Sequence, residues 1–408
     1  MKCRHCQSDL DTLLIDLGSA PPSNAYLSGD DLGRPERWYP LRVLVCTTCW
    51  LVQTEDFAER ETLFDEDYAY FSSVSSTWLS HVDAYATAMI DRFSLNETSH
   101  VVEVACNDGA LLGAFARRGI PTLGVEPTRS TADAARAKGL AVIDAFFGEA
   151  LGRQMAADGQ AADLIAANNV LAHVPDINDF VRGFRHLLKP GGVATFEFPH
   201  LLHLLEETQF DTIYHEHFSY LSLGAVSRIF RENGLAVVDV ETWPTHGGSL
   251  RVFVKRAEDA AERLAQPVED LLELERRAGL CDPVTYAAFA ARALAIKDDA
   301  LRFLLDARAD GATCMAYGAA AKGNTFLNFA GIRPDLISAV VDRAPAKQGK
   351  YLPGSRIPIV AEDALKQAKP DFVLILPWNL RSEIATQLDY IREWGGRFVV
   401  FVPKLAIF

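Results

Sequence analysis

The spacing of apolar and polar positions changes several times along this chain. In residues 1–75 it keeps no regular period. Two Cys-x-x-Cys pairs, Cys3–Cys6 and Cys46–Cys49, bracket a polar stretch punctuated by Pro21, Pro22, Gly29, Gly33 and Pro35. Such a stretch predicts a small irregular domain that needs a staple. Over residues 76–93, Trp78, Val82, Tyr85 and Met89 recur at helical spacing and predict a linker helix. From 100 to 255, buried-strand runs (HVVEVACNDG, TLGVEP, ADLIAANNVLAHV, GVATFEFP) alternate with helical ones (LLGAFARRG, STADAARAKG, NDFVRGFRHLLKPGG). The last helix is expected to stop at Pro190 and its glycines. This alternation predicts parallel β-α units in a doubly wound α/β sheet. Residues 256–308, rich in Ala, Glu, Arg and Leu, read as helical throughout. TCMAYGAAAKGN, LISAVVDR, PDFVLILPW and RFVVFVP then predict a second, smaller Rossmann-like α/β unit. The expected domains are 1–75, 76–255 and 256–408.

Charge and cysteine usage narrow the function classes. A formal net charge of −14 without a long Lys/Arg run argues against nucleic-acid partners. No apolar run has membrane-spanning length, and the start MKCRHCQSDL lacks a signal-peptide core, so no membrane partner is expected. Seven cysteines in such a chain fit reduced thiols in the cytoplasm. Oligomeric state is expected to be monomer or weak homodimer.

Two Cys-x-x-Cys pairs can close a tetrahedral four-thiolate site, so Cys3, Cys6, Cys46 and Cys49 are expected to hold one structural zinc ion. A redox pair or unrelated cysteines are the alternatives. His5, inside the first pair, is expected at the surface and not as a ligand.

The turn Glu103-Val-Ala-Cys-Asn-Asp-Gly109 joins the first strand of the sheet to its helix, where an open α/β sheet receives a nucleotide-like cofactor. Its small residues, Ala105 and Gly109, let backbone approach the ligand, and Asn107 adds a polar group. Ala105 stands where a first glycine is usual. Glu126, ending the next strand, suits the ribose hydroxyls. Asp144 and Phe146 are expected to flank the adenine, with core packing the alternative for Phe146, and Asn168, Asn169 and His173 are expected to meet the methionyl end. The order and spacing favour S-adenosylmethionine over a nicotinamide cofactor.

The segment FDTIYHEHF places Tyr214, His215, Glu216 and His217 in four consecutive positions. Carbon methylation needs a base to remove a proton from carbon, which neutral His suits, and a donor to the developing oxyanion, which Tyr suits. A metal site or a surface cluster is the alternative.

With CRHC…CTTC, DYAYFSS, EVACNDG, GVEP, NNVLAHVPD, FEFPHL, FDTIYHEHF, THGGSLR and YGAAAKGNTFLN in order, the chain resembles the nucleotide-sugar C-methyltransferases over nearly its whole length. The resemblance implies three domains: zinc-binding, methyltransferase, and a C-terminal Rossmann-like domain that helps hold a nucleotide-diphosphate sugar. It implies His217 as the base at C-3 of a 4-keto sugar. It sets Tyr214 and Glu216 beside the sugar, and His173 with Asn169 at the cofactor end. Tyr68 is implied to reach in from the first domain, with Tyr70 nearby. Tyr70 and His215 are expected to contact the substrate, and His215 stands where a member acting on a 3-amino sugar has Asp, which points to a different sugar. His246, Gly247 and Arg251 of THGGSLR, and Tyr317, Gly318, Lys322 and Asn324 of YGAAAKGN, pair glycines with polar or cationic groups. That pairing suits a diphosphate, so all of them are expected to contact the substrate, with a plain strand–helix turn as the alternative at Gly318. An O- or N-methyltransferase on the same scaffold, C-5 methylation, and a non-enzymatic zinc-ribbon binding protein remain as alternatives.

Overall fold

The polar stretch between the cysteine pairs holds more order than its turn residues predict. In the computed structural model, which describes residues 1–57, 71–74, 76–261 and 263–408, Thr12–Ala20 forms a nine-residue strand, β1. It buries Leu14, Ile15 and Leu17 and pairs antiparallel with β2 (Tyr39–Val45). β3 (Val52–Thr54) continues the sheet. The fourth strand comes from far along the chain: β9 (Ser219–Tyr220), in chain-order numbering, sets Tyr220 opposite Val52 and Ser219 opposite Gln53.

The helix Ser76–Phe93 buries Val82, Tyr85 and Met89 as their spacing predicts, and leaves Trp78 half-exposed. It covers a seven-stranded sheet formed by β4 (Val101–Val104), β5 (Thr122–Val125), β6 (Val142–Ile143), β7 (Ala162–Asn168), β8 (Leu188–Pro199), β10 (Leu235–Trp243) and β11 (Ser249–Arg256). The strand order is β10-β11-β8-β7-β4-β5-β6. β4 to β8 are parallel, and β11 runs antiparallel between β8 and β10. The helix before β8 ends at Leu187, ahead of Pro190. Leu188 is already extended, so Lys189-Pro190-Gly191-Gly192 belongs to the strand, at its solvent-facing start where proline is tolerated.

Residues 257–309 are not one helical run. They break into Gln266–Arg277, Pro283–Ala287 and Phe289–Ala309. Gly279 at φ +78 turns the chain, and Asp282 accepts from Val284 N to start the next helix at Pro283. The C-terminal sheet comprises β12 (Cys314–Tyr317), β13 (Val340–Val341), β14 (Ile359–Val360), β15 (Phe372–Ile375), β16 (Arg397–Val400) and β17 (Ala406–Ile407). Its order is β14-β13-β12-β15-β16-β17. β14 and β17, of two residues each, are too short to stand out as apolar runs.

The order of the parallel strands switches between β4 and β7 in one sheet and between β12 and β15 in the other. Open sheets take ligands at such switch points. The cysteine-bearing region shares apolar core with both units. Leu14 and Val43 pack with Phe289, Ile296 and the C-terminal sheet, while Cys3, Cys46 and Leu51 pack with Phe180 and Val226. Among the described residues no helix is long and apolar enough to cross a membrane.

Candidate active site

The Sγ atoms of Cys3, Cys6, Cys46 and Cys49 lie within 4.8 Å of one another. Both knuckles fold alike. Gln7 N donates to Cys3 O at 3.0 Å, and Trp50 N to Cys46 O at 2.7 Å. The residue after each second cysteine is left-handed, Gln7 at φ +61 and Trp50 at φ +63, which turns each pair of thiols inward. Gln53 Nε2 donates to Cys3 Sγ at 3.3 Å. A closed set of four sulfurs with an outer N–H donor fits a tetrahedral soft-ligand metal and leaves no open coordination position. His5 is not at the surface. It is 6% exposed, with Nδ1 2.8 Å from Asn178 Oδ1 and Nε2 3.2 Å from Glu232. The knuckle docks through it onto the seven-stranded unit.

At the carboxyl end of β4 the backbone is strongly turned: Ala105, Asn107 and Gly109 lie at φ +59, +50 and +76. A Cβ on Gly109 would meet Leu140 at 2.4 Å, so this position needs glycine. Ala105 takes with a methyl side chain a conformation that glycine adopts freely. Glu103 braces the turn from behind. Its Oε2 accepts from Leu112 N at 3.2 Å, and burial pushes its pKa well up. Glu126 accepts from Asn107 N at 2.8 Å and Thr128 N at 3.0 Å, one bond per carboxylate oxygen, which leaves lone pairs for ribose hydroxyls. Asn107 Oδ1 accepts from Ser72 N at 2.9 Å. Asp108, which sequence reasoning passed over, accepts from Ser72 Oγ at 2.6 Å and from Lys138 Nζ at 3.1 Å. The turn is thereby pinned to the segment at Ser72. Past β6, Asp144 is exposed and Phe146 half-buried. Asn168, closing β7, has both amide atoms buried without a hydrogen-bond partner, as has Oδ1 of Asn169, which lies at φ +54. Orphaned amide atoms at a switch point are what a bound cofactor end would satisfy. The residues present fit S-adenosylmethionine. His173 follows, its pKa drawn down to about 4 by burial.

The segment at 210–218 leaves the helix Leu201–Glu206 as a tight turn, Phe210–Thr212, and runs into β9. His217 Nδ1 lies 2.8 Å from the Thr212 carbonyl. A carbonyl only accepts, so Nδ1 carries the hydrogen and Nε2 keeps its lone pair. The ring stands 4.0 Å from Tyr214 and 4.7 Å from His173, centre to centre. Burial, then the neighbouring His173, hold its pKa well below the usual imidazole value. Thr54 Oγ1 donates to the His217 carbonyl at 3.0 Å, and Phe218 N donates to Ala172 O at 2.8 Å. The segment is therefore clamped between the cysteine-bearing domain and the turn after β7. Glu216 is 2% exposed, and Asn24 Nδ2 donates to its two oxygens at 2.8 and 2.9 Å. His215, expected at the substrate, instead lies in the seam with the first domain. Its Nε2 is 3.3 and 3.2 Å from the Tyr39 and Pro40 carbonyls, and its ring is edge-on to Tyr39. Tyr68 and Tyr70 lie outside the described residues.

Arg251, expected at the substrate, is instead enclosed. It is 1% exposed and bonds Glu197 through Nη2 at 2.9 Å and Nε at 3.2 Å. Its Nη1 donates to Glu241 at 3.1 Å, and its guanidinium lies over the Tyr85 and Trp243 rings. A cation so enclosed and neutralised is a structural pair and no diphosphate ligand. Glu197 and Arg251, each an ion inside an apolar strand run (FEFP and SLRVFV), carried a legible signal for this pairing. His246 does face the site. At φ +56 it accepts from Asn169 Nδ2 through Nε2, at 3.4 Å, and burial draws its pKa to about 4. Gly247 must lack a Cβ, because one would meet Trp378 at 2.7 Å.

In the C-terminal unit the turn after β12 satisfies itself. Gly318 N donates to Val341 O, Ala319 N to Asp342 Oδ2 and Ala320 N to Gly318 O. A carboxylate thus occupies the N–H that a diphosphate was expected to use, and Gly318 serves close packing on Pro377. Tyr317 is buried, its hydroxyl accepting from Gln387 Nε2 at 2.6 Å. Two expected substrate residues remain on the helix Ala321–Ala330. Asn324, 1% exposed, has both amide atoms without a hydrogen-bond partner. Lys322 Nζ donates to Asn379 Oδ1 at 2.8 Å and stands 4.8 Å over the Trp378 ring. Trp378 Nε1 donates to Asp211 at 2.8 Å, which ties this switch point to the turn that carries His217.

Residues 3–64 match the family described as "Putative zinc binding domain", 78–240 "Methyltransferase domain" and 244–403 "C-methyltransferase C-terminal domain". C-methyltransferase NovU from Streptomyces niveus is 36% identical over 404 residues, 99% of this chain and 96% of that protein. The ubiquinone biosynthesis O-methyltransferase of Serratia proteamaculans is 33% identical over 24% of this chain and 41% of its own. Among solved structures, an S-adenosylmethionine-dependent methyltransferase from Clostridium acetobutylicum aligns at 13% identity over 44% of this chain and 92% of its own, with a TM-score of 0.35.

Proposed function

The chain belongs to the nucleotide-sugar C-methyltransferase family, and from that premise we propose that it methylates the carbon beside the keto group of a nucleotide-linked 4-keto deoxysugar, C-3 being the expected position, with His217 as base. The observation that carries this reading is the orientation of His217. Its Nδ1–H is committed to the Thr212 carbonyl, so Nε2 is left as a lone-pair base in an enclosed site. The low pKa keeps that base neutral near pH 7.

Nε2 takes the proton. The C–H electron pair becomes the new carbon–carbon double bond, and the carbonyl pair moves onto oxygen. Tyr214, whose ring lies 4.0 Å from that of His217, is the proposed donor to that oxygen, and Tyr68 is the second candidate. S-adenosylmethionine, when bound, supplies an electrophilic methyl group, which the carbon takes as the C–S bond breaks. The Ala105–Gly109 turn and Glu126 would hold it, with Asn168, Asn169 and His173 at the methionyl end. Asn324, at the start of its helix, suits the sugar diphosphate. Zinc is the expected occupant of the four thiols, as a cross-link. None of the seven cysteines is in a disulfide, which suits a reducing cytoplasm.

Incubation with dTDP-, GDP- and CDP-linked 4-keto sugars plus S-adenosylmethionine tests the reading. The expected product gains one CH₂ in mass, carried on carbon. A new methyl on oxygen or nitrogen would replace the carbanion mechanism.

A further inference from the structure

Resting on the carbanion reading above, we propose that Lys322 is the cation that stabilises the developing enolate oxygen, with Asp211 as its counter-ion, and that it is not a diphosphate ligand. Lys322 lies in the first turn of the helix Ala321–Ala330, at the switch point of the C-terminal sheet. Its Nζ is held by Asn379 Oδ1 at 2.8 Å and by the face of Trp378 at 4.8 Å. Both partners are neutral; burial draws the Lys322 pKa down, and the Asp211 carboxylate opposes that shift and so supports the ammonium form. The Trp378 N–H is fixed in turn by Asp211 Oδ2 at 2.8 Å. Asp211 is 1% exposed, and its Oδ1 has no hydrogen-bond partner. The next residue, Thr212, is the one whose carbonyl orients His217. One three-residue turn therefore carries both the support of the base and the counter-ion of the cation.

The charges around the base make this placement meaningful. His217 faces His173, Tyr214 and Tyr220, with His246 and Lys322 beyond. The three imidazoles are all held neutral by burial. Arg251, the nearby guanidinium, is cancelled by Glu197. Lys322 is the lysine whose charge reaches both His217 and His246. Deprotonation creates negative charge on the ketone oxygen, and tyrosine can offer it only a neutral hydrogen bond. A preorganised ammonium in an enclosed site offers full charge and loses no reorganisation energy when the reaction occurs. An ammonium has three N–H donors, and Asn379 uses one of them.

The test separates deprotonation from methyl transfer. A 4-keto-6-deoxyhexose linked to dTDP, GDP or CDP, each in turn, is incubated in D₂O with the holoenzyme and S-adenosylhomocysteine, and deuterium uptake at carbon is followed. Lys322→Met is expected to lower the saturated exchange rate by about 10²–10³-fold, with the half-saturating sugar concentration nearly unchanged. Lys322→Arg keeps the charge and is expected to keep most of the rate. Removing the cation also relieves the pressure on the His217 proton, so the acid limb of the exchange profile should move to higher pH in Lys322→Met. Should Lys322→Met fail to bind S-adenosylhomocysteine in a calorimeter, Lys322→Gln takes its place with the same expected results. Wild-type exchange at saturation, combined with a large rise in the sugar concentration required, would overturn the proposal and return Lys322 to the diphosphate. Absence of exchange in the wild-type enzyme with all three nucleotide series would instead strike the carbanion reading itself.

Discussion

The Thr54 hydroxyl donates to the His217 carbonyl across 3.0 Å, joining the cysteine-bearing domain to the proposed base. The preceding residue of the same short strand, Gln53, reaches the thiol of Cys3. The metal site and the base thus share one strand of three residues. Thr54→Val removes a single hydrogen bond of about 1 kcal/mol. It is expected to lower kcat roughly fivefold while leaving S-adenosylmethionine affinity, read by calorimetry, unchanged. An equal loss in both would show that Thr54 supports the fold at large.

Metal analysis by mass spectrometry is expected to find one zinc per chain, lost in Cys46→Ser. A structural zinc is worth on the order of 10 kcal/mol. Chelation should therefore lower the melting temperature and abolish turnover together. Full activity in the chelated protein would detach the cysteine domain from the reaction chamber.

The pH dependence follows from the direction of the His217 shift. Burial holds its pKa well below the ordinary imidazole value, near 6.5. The base is then neutral at pH 7 and stays so as pH falls through 6.5. The acid limb of kcat/KM is expected below that value, because activity is lost only when Nε2 finally protonates. A limb above 6.5 in a pH–rate profile would contradict the burial argument.

Glu197→Gln leaves Arg251 charged, 1% exposed and short of its principal counter-ion. Breaking a buried pair from one side costs about 3–5 kcal/mol, so urea unfolding should show a loss of that order. The KM for the sugar in Arg251→Met is expected to stay near wild type. A large rise in that KM would restore Arg251 as a ligand.

The sequence made the two α/β sheets legible, because their strands are continuous apolar runs ending in turn residues. It made the thiol set legible too, because two residues of spacing is what a shared metal requires. It hid whatever depends on distant partners. The strand β1 was masked by nearby Pro and Gly, and β9, of two residues, exists only through its pairing with β3. His215 and His217 look equivalent in the chain. They diverge because the Tyr39 and Pro40 carbonyls hold one and the Thr212 carbonyl the other. Arg251 beside two glycines resembled an anion site until Glu197, on the neighbouring strand, took its charge. Asp342 in the same way filled the turn at Gly318.

The central claim is that His217 removes a proton from carbon. The direct measurement is solvent deuterium uptake at the carbon beside the ketone, comparing wild type with His217→Asn in the presence of S-adenosylhomocysteine. The account predicts rapid uptake by the wild-type enzyme and a loss of about 10²–10⁴-fold in the variant, with cofactor affinity retained. Uptake by His217→Asn at the wild-type rate would contradict it.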